Sequence, residues 1–208
     1  MQHEDACCIV VTKPGGMLCV PGRGPDKQDC LSARVQRMYP DARIVHRLDM
    51  ATSGLVLMAR GDAMQRALGR AFEQREVRKR YVAVVSGRVA DPDAADDWGV
   101  IDLPIAADWP RRPMQRVDLH EGRPSVTRWR VLARGEDCTR LELEPVTGRT
   151  HQLRVHLQAI GHPIVGDPLY GPGMADTAAG RLLLHAWQLG FMHPGNGRTV
   201  DFESPPPF

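Results

Sequence analysis

The sequence predicts an α+β fold: a mixed, largely antiparallel sheet flanked by helices and loops. Apolar runs of strand length outnumber runs at helical spacing. Strand runs also follow one another directly, where an α/β protein would interpose a helix each time. The chain has 208 residues, 42% apolar and 25% charged, an ordinary composition for one compact core. No linker-like stretch divides it, so a single domain over residues 1–208 is expected.

The elements follow in order. Residues 9–12 are a short apolar strand, and Lys13-Pro14-Gly15-Gly16 is a turn in which Pro presets one dihedral and Gly permits positive φ. Residues 17–20 resume as a strand. Asp29 caps a helix to Met38 with Leu31, Val35 and Met38 on one face, closed by Tyr39-Pro40. Residues 54–59 are apolar without interruption, the pattern of a buried strand. Asp62 caps a second helix carrying Met64, Leu68 and Phe72. Residues 79–86 alternate as a strand, and 88–98 form a polar, acidic loop. Residues 126–132 and 139–145 make a hairpin around Gly135-Glu136-Asp137. A helix spans 151–160, stopped by Gly161 and Pro163. Residues 182–192 and 199–203 form the last hairpin, and Pro205 to Pro207 make a stiff tail.

Charge says little in total and more in its distribution. The formal net charge is +2, yet basic residues cluster at 75–80, 111–116 and 149–154 while acids concentrate at 91–97. A near-neutral chain with such segregation can carry a basic groove. Solvated Arg-rich faces explain the same clusters. The five cysteines (Cys7, Cys8, Cys19, Cys30 and Cys138) contain no Cys-x-x-Cys pair, so zinc and redox spacing is absent and reduced thiols in the cytoplasm are expected. No signal-peptide pattern opens the chain, and no apolar run approaches the roughly 20 residues of a membrane span.

Four segments can carry chemistry. The first, Val45 to Gly54, places His46, Arg47 and Asp49 before the buried strand. A carboxylate at a strand mouth can serve as nucleophile or base. It can equally cap a turn near Ser53, and local chemistry alone favours the cap. The second runs from Thr147 through Gly148, Arg149, His151 and Arg154 to Leu157. Its arginines suit carboxylate or phosphate. His151 and His156 are five apart with no Glu between, which excludes the zinc-protease pattern. The third, 161–171, is a Gly/Pro-rich loop with His162, Asp167 and Tyr170, read as architectural. The fourth, Arg78-Lys79-Arg80-Tyr81, delivers an aromatic at a strand start. Neither a phosphate-binding Gly loop ending in Gly-Lys-Ser/Thr nor a Gly-x-Ser-x-Gly elbow occurs.

In this order the segments resemble the RluA family of RNA pseudouridine synthases. The resemblance rests on Lys13-Pro14-Gly15-Gly16, His46 to Gly54, Arg80-Tyr81, Gly148 to His156, His162 through Asp167 to Gly171, and Leu182 to Ala186. It extends to a short subgroup with tRNA and 23S rRNA targets through Val20 to Arg23, Met50-Ala51, Asp102 to Ile105, Asp108 to Pro110 and the final Phe208. One departure is Leu153 where Ile is common.

The resemblance implies a catalytic domain of that fold without an S4 RNA-binding domain. Asp49 is then the catalytic aspartate, Tyr81 the tyrosine against the target base, and Arg154 the arginine paired with the aspartate. Arg47 enters the RNA stack near the flipped nucleotide. Further RNA contacts fall on His46, Thr52, Lys79, Arg80, Arg149 and His151. The reaction is an isomerisation, needing no metal, redox cofactor or ATP. The partner is a stem-loop of tRNA, 23S rRNA or both, and the expected protein is a monomer without an obligate protein partner. Two rivals stand beside this: a non-catalytic RNA-binding module, which needs the basic patches but not the Asp49, Tyr81 and Arg154 set, and a metal-dependent hydrolase on Asp49, His151 and His185.

Overall fold

The apolar run at 54–59 lies inside a long strand that is buried on both faces. The computed structural model describes residues 1–171 and 180–208. In chain order its elements begin with β1 (His3–Glu4), β2 (Cys8–Lys13), α1 (Leu31–Met38), β3 (Ala42–Ile44), β4 (Ser53–Arg60) and α2 (Gly61–Glu73). They continue with β5 (Arg78–Ser86), β6 (Gly99–Asp102), β7 (Ile105–Ala107), β8 (Gln115–Val117), β9 (Val126–Arg134) and β10 (Cys138–Pro145). The last are α3 (Gln152–Ala159), β11 (Leu184–Met192) and β12 (Thr199–Glu203). The described residues group into two compact units, 1–79 with 186–207, and 80–185 with 208. The eight strand pairings β1–β2, β2–β4, β3–β4, β11–β12, β5–β10, β10–β9, β9–β6 and β7–β8 are antiparallel, and the bridge Leu18↔Cys30 is parallel, in keeping with an α+β fold.

In the first unit β2 pairs with β4 at Val11↔Val56, β1 extends β2, and β3 joins β4 at Ile44↔Met58. The β11–β12 hairpin registers Phe191 against Val200. Leu55, Leu57 and Ala59 of β4 pack with Cys8, Val10, Leu189 and Phe191, and α2 closes this core with Leu68. Burial on both faces of β4 is why its sequence is continuously apolar, without alternation. Gly54 is required at its start: φ is +117°, and a Cβ there would lie 2.3 Å from the Ala186 carbonyl oxygen.

Three local expectations differ from the structure. Residues 17–20 do not form a strand, because only Leu18 finds a bridge partner. Asp29 does not cap α1; its carboxylate is taken by Arg34 at 2.6 and 2.7 Å, and Cys30 stands at the cap. Asp62 sits in the first turn of α2 and accepts from Arg43 Nε at 3.0 Å without capping it. A nearby arginine outcompetes backbone N–H groups for an exposed carboxylate in both cases.

In the second unit the strand order is β5-β10-β9-β6, with Leu143↔Tyr81 and Leu141↔Ala83 in register and a bulge between Arg140 and Leu141. β7 and β8 form a separate hairpin. α3 buries Leu153, Val155 and Leu157. Gln152 fixes its start: Oε1 accepts from Thr147 Oγ1 at 2.7 Å and from Arg149 N–H at 3.0 Å, while Nε2 donates to Val126 O and Thr127 Oγ1. The acidic 91–97 stretch is tied to β9, with Asp91 on Arg134 and Asp96 on Arg128.

Candidate active site

The segment between β3 and β4 is held by its main chain. Lys13 is fully buried, and its ammonium donates to the carbonyls of Pro14, Met17 and Met50 at 2.9, 2.8 and 3.0 Å. Met50 O also accepts from Gly16 N–H at 2.9 Å. The Lys-Pro-Gly-Gly turn is therefore the bracket for the loop that bears Asp49. A buried ammonium is tolerated there because three carbonyl dipoles replace its water. Leu48 is buried and its N–H donates to Cys19 Sγ at 3.2 Å, while Thr52 N–H closes a turn on Asp49 O at 3.1 Å. Between these anchors Arg47 is exposed and Asp49 half-buried.

His46 supports this loop from behind. Its Nε2 accepts from Leu57 N–H at 2.9 Å and its ring stacks on Phe72 at 4.5 Å. Burial pushes its pKa down to about 3, and the Lys79 charge adds to the shift. A neutral imidazole committed to the strand backbone is a support, so an RNA contact is not carried forward for His46. Thr52, only 3% exposed, is set aside for the same reason. Lys79 is half-buried at the start of β5.

The second unit holds Tyr81, Arg80, Arg149, His151 and Arg154. Tyr81 is half-buried on β5, opposite Leu143. Arg80 faces Glu142 and Glu144 at 3.5 and 3.2 Å and lies over Trp98, which Arg128 and Arg130 also approach. That cluster occupies Arg80 within the protein, so it is set aside as an RNA contact. Arg149 is exposed at the entry to α3.

Arg154 is 3% exposed and forms a bidentate pair with Asp167, Nε to Oδ2 and Nη2 to Oδ1, both at 2.7 Å. Asp167 Oδ1 also accepts from the N–H groups of Leu169 and Tyr170. The Tyr170 ring lies 5.0 Å from the guanidinium carbon, and its hydroxyl bonds His151 Nδ1 at 2.8 Å and accepts from Gln115 N–H at 2.8 Å. His151 adopts φ +55°, a left-handed conformation at the helix entry.

Sequence reasoning passed over two of these supports. The sequence places Asp167 in an architectural loop; in the fold it orients Arg154. Its signal was the acid at the centre of a Gly/Pro-rich segment, where a carboxylate accepts backbone N–H groups. The sequence marks Lys13 only as a turn residue, and nothing local announces that its side chain turns inward. Arg47 and Asp49 share one loop, and His151 and Arg154 share one network through Tyr170 and Asp167. Asp49 belongs to one unit, and Tyr81 and Arg154 to the other.

A family model described as RNA pseudouridylate synthase matches residues 8–159. A Yersinia pestis protein called dual-specificity RNA pseudouridine synthase RluA is 46% identical over 202 residues, covering 97% of this chain and 96% of that protein. The Escherichia coli K12 protein of that name is 46% identical over 207 residues, covering 99% and 92%. Among solved structures, human RNA pseudouridylate synthase domain containing 1 superposes with a TM-score of 0.79 at 29% identity, covering 100% of this chain and 83% of that one.

Proposed function

The chain belongs to the RNA pseudouridylate synthase family and is an isomerase of uridine in RNA, and from that premise we propose that Asp49 is its catalytic carboxylate. The observation that carries this reading is the mounting of Asp49. It is a half-buried carboxylate on a loop whose backbone is bracketed by Lys13, Cys19 and the Gly16 N–H. Side chains fixed through their backbone keep their reactive atoms placed for substrate.

The reaction breaks the uridine N1–C1′ bond, turns the uracil and rejoins it through C5, with no net redox change. The stacked base is out of reach, so it is extruded at a cost of a few kcal/mol and recaptured in a fitted pocket. In this proposal Arg47, exposed beside Asp49, fills the vacated place in the stack. Tyr81 lies against the extruded uracil. Arg154, oriented by Asp167, is the arginine assigned to the reaction. Asp49 acts in its ionised form, whether it attacks sugar or base or removes a sugar proton. Arg149, Lys79 and His151 contact the RNA, the two cations holding phosphate without reading sequence.

The substrate is a stem-loop of tRNA, 23S rRNA or both, in keeping with the dual specificity named for the relatives. Five free thiols suit a reducing compartment, and the proposed setting is the cytoplasm, with the protein acting as a monomer. No helix among the described residues is long and apolar enough to cross a membrane.

The test is Asp49→Asn, assayed by tritium release from RNA labelled at uracil C5. Release should fall by about 10³-fold or more while RNA affinity is retained. Normal release by the Asn variant would sink the assignment.

A further inference from the structure

We propose that His3, Asp5, Cys8 and His193 form a zinc site that fastens the N-terminal strand to the β11–β12 turn. Each offers one ligand atom, and the four atoms all lie within 4.8 Å of one another. All four belong to the first unit, outside the machinery assigned to the reaction.

The donor chemistry is that of zinc: two imidazoles, one carboxylate and one thiolate, four protein ligands for a closed tetrahedron. Around one zinc ion with ordinary bond lengths, neighbouring ligand atoms stand roughly 3.3–3.7 Å apart. Asp5 Oδ2 already stands 3.2 Å from His3 Nε2 and 2.7 Å from His193 Nε2. Small side-chain rotations are enough to admit the ion.

The cluster is also built. Asp5 Oδ1 accepts the N–H groups of Cys7 and Cys8 at 2.7 and 2.8 Å, which fixes the carboxylate and turns Oδ2 toward both imidazoles. A ligating carboxylate oriented by hydrogen bonds is the ordinary support of a metal site. Cys8 is 0% exposed and His193 6% exposed, whereas His3 and Asp5 are half-buried and leave an entry path. His3 is steadied by Phe202, with ring centroids 5.3 Å apart. Without the ion, the Asp5 carboxylate serves as a hydrogen-bond hub. With it, zinc takes the Nε2 position of each neutral imidazole, whose single proton shifts to Nδ1, and it replaces the Cys8 thiol proton, which alone passes to solvent. One contact opens in exchange: His193 Nδ1, which accepts from Gly195 N–H at 3.2 Å, then carries the ring proton. That bond is long and lies at an exposed turn, so it is weakly held.

The site escapes a search by spacing because Asp5 and His193 are 188 residues apart. The hairpin turn brings them together in the folded unit only. Cys7 falls outside this set of four ligand atoms. Its Sγ lies on the Gly195 side, where a Cβ added to that glycine would meet it at 2.6 Å.

The experiment uses the untagged full chain, stripped with a chelator and freed of it, then titrated with Zn²⁺ in competition with a chromophoric chelator. Co²⁺ is added in parallel as a spectroscopic probe. Wild type should take up one Zn²⁺ per chain at sub-micromolar concentration and gain thermal stability from it. Co²⁺ should give the intense bands of a tetrahedral site together with a thiolate-to-cobalt transition. Cys7→Ser should keep all of this, and Cys8→Ser should lose the thiolate transition. Because Cys8 is buried and its variant can fail to fold, His3→Ala provides the second arm. Removal of a half-exposed ligand should leave circular dichroism unchanged and weaken Zn²⁺ binding by about tenfold or more. The proposal is overturned by wild type taking up no Zn²⁺ against the competitor. It is also overturned by equal Zn²⁺ affinity in wild type and His3→Ala, or by a thiolate band that follows Cys7 instead of Cys8.

Discussion

The Asp49 loop and the Arg154 helix entry are fixed in opposite ways. The loop is held through main-chain groups, with Lys13 on three carbonyls, Cys19 on the Leu48 N–H and the Gly16 N–H on Met50 O. The helix entry is held through side chains, with Asp167 on Arg154, Tyr170 on His151 and Gln152 on Thr147 and Thr127. The first mounting presents side chains outward and concentrates its support in one buried cation. The second is a network in which each group has several partners, so it is stiff and shares its load. Damage should therefore be localised and severe at Lys13 and distributed around Arg154.

The largest effect is expected from Lys13→Met. The substitution nearly conserves volume but takes the ammonium from three carbonyls; Met50 O keeps the Gly16 N–H, while Pro14 O and Met17 O lose their Lys13 bond, at about 1–3 kcal/mol each. Urea unfolding should show a loss of several kcal/mol. Under conditions where the variant is still folded, tritium release should fall in kcat by tenfold or more with KM little changed, because the Asp49 loop loses its bracket. Wild-type kcat in folded Lys13→Met would break the contrast between the two mountings. Next comes Asp167→Ala, which removes the bidentate Asp167 carboxylate from the buried Arg154 guanidinium. Removing one partner of a buried pair costs about 3–5 kcal/mol, but the Tyr170 ring and its hydroxyl network remain. Asp167→Asn, which keeps one acceptor, should recover part of that loss. If Asn and Ala are equally destabilising, the carboxylate does not act through directed bonds.

The His46 contact sharpens the comparison through pH. The folded imidazole stays neutral down to about pH 3, against an ordinary value of 6.5. Between those values the unfolded chain binds a proton that the folded chain refuses, so stability falls as pH falls. The slope is at most about 1.4 kcal/mol per pH unit. Urea midpoints measured near pH 7.5 and pH 5.5 should differ less in His46→Gln than in wild type, by about 1 kcal/mol. Equal pH dependence in the two proteins would remove His46 as the neutral support of the loop.

How much of this could be read from the chain depends on the distance over which each feature is encoded. Continuous burial of 54–59, the hairpins and the extent of α3 are local patterns, and they appear where expected. Caps were misplaced at Asp29 and Asp62 because Arg34 and Arg43 compete for those carboxylates, and an arginine's reach has no fixed spacing. Asp49 stands out only in the ordered company of the other motifs, since its local chemistry alone favours a turn cap. The inward turn of Lys13 and the pairing of Arg154 with Asp167 depend on tertiary contacts that leave no periodic trace. Conversely, the charge run at Arg78 to Arg80 suggested RNA contact for Arg80, whereas Glu142, Glu144 and Trp98 are its neighbours in the fold.

The smallest effect should separate the two mountings at the two arginines proposed to meet RNA. Arg47 and Arg149 are both exposed, one on the loop and one at the helix entry. If each neutralises a phosphate, replacing either by Gln weakens RNA binding a few-fold. The slope of log affinity against log salt should shrink by about 0.7–0.9 in each case. Arg47→Gln should show a further loss in single-turnover rate if, as proposed, its side chain also fills the vacated place in the stack. An RNA with an abasic site opposite the vacated position should restore part of its binding. Arg149→Gln should bind more weakly yet turn over normally once saturated. Identical behaviour of the two variants at saturating RNA would mean that the loop contributes only charge, and that its rigid mounting serves Asp49 alone.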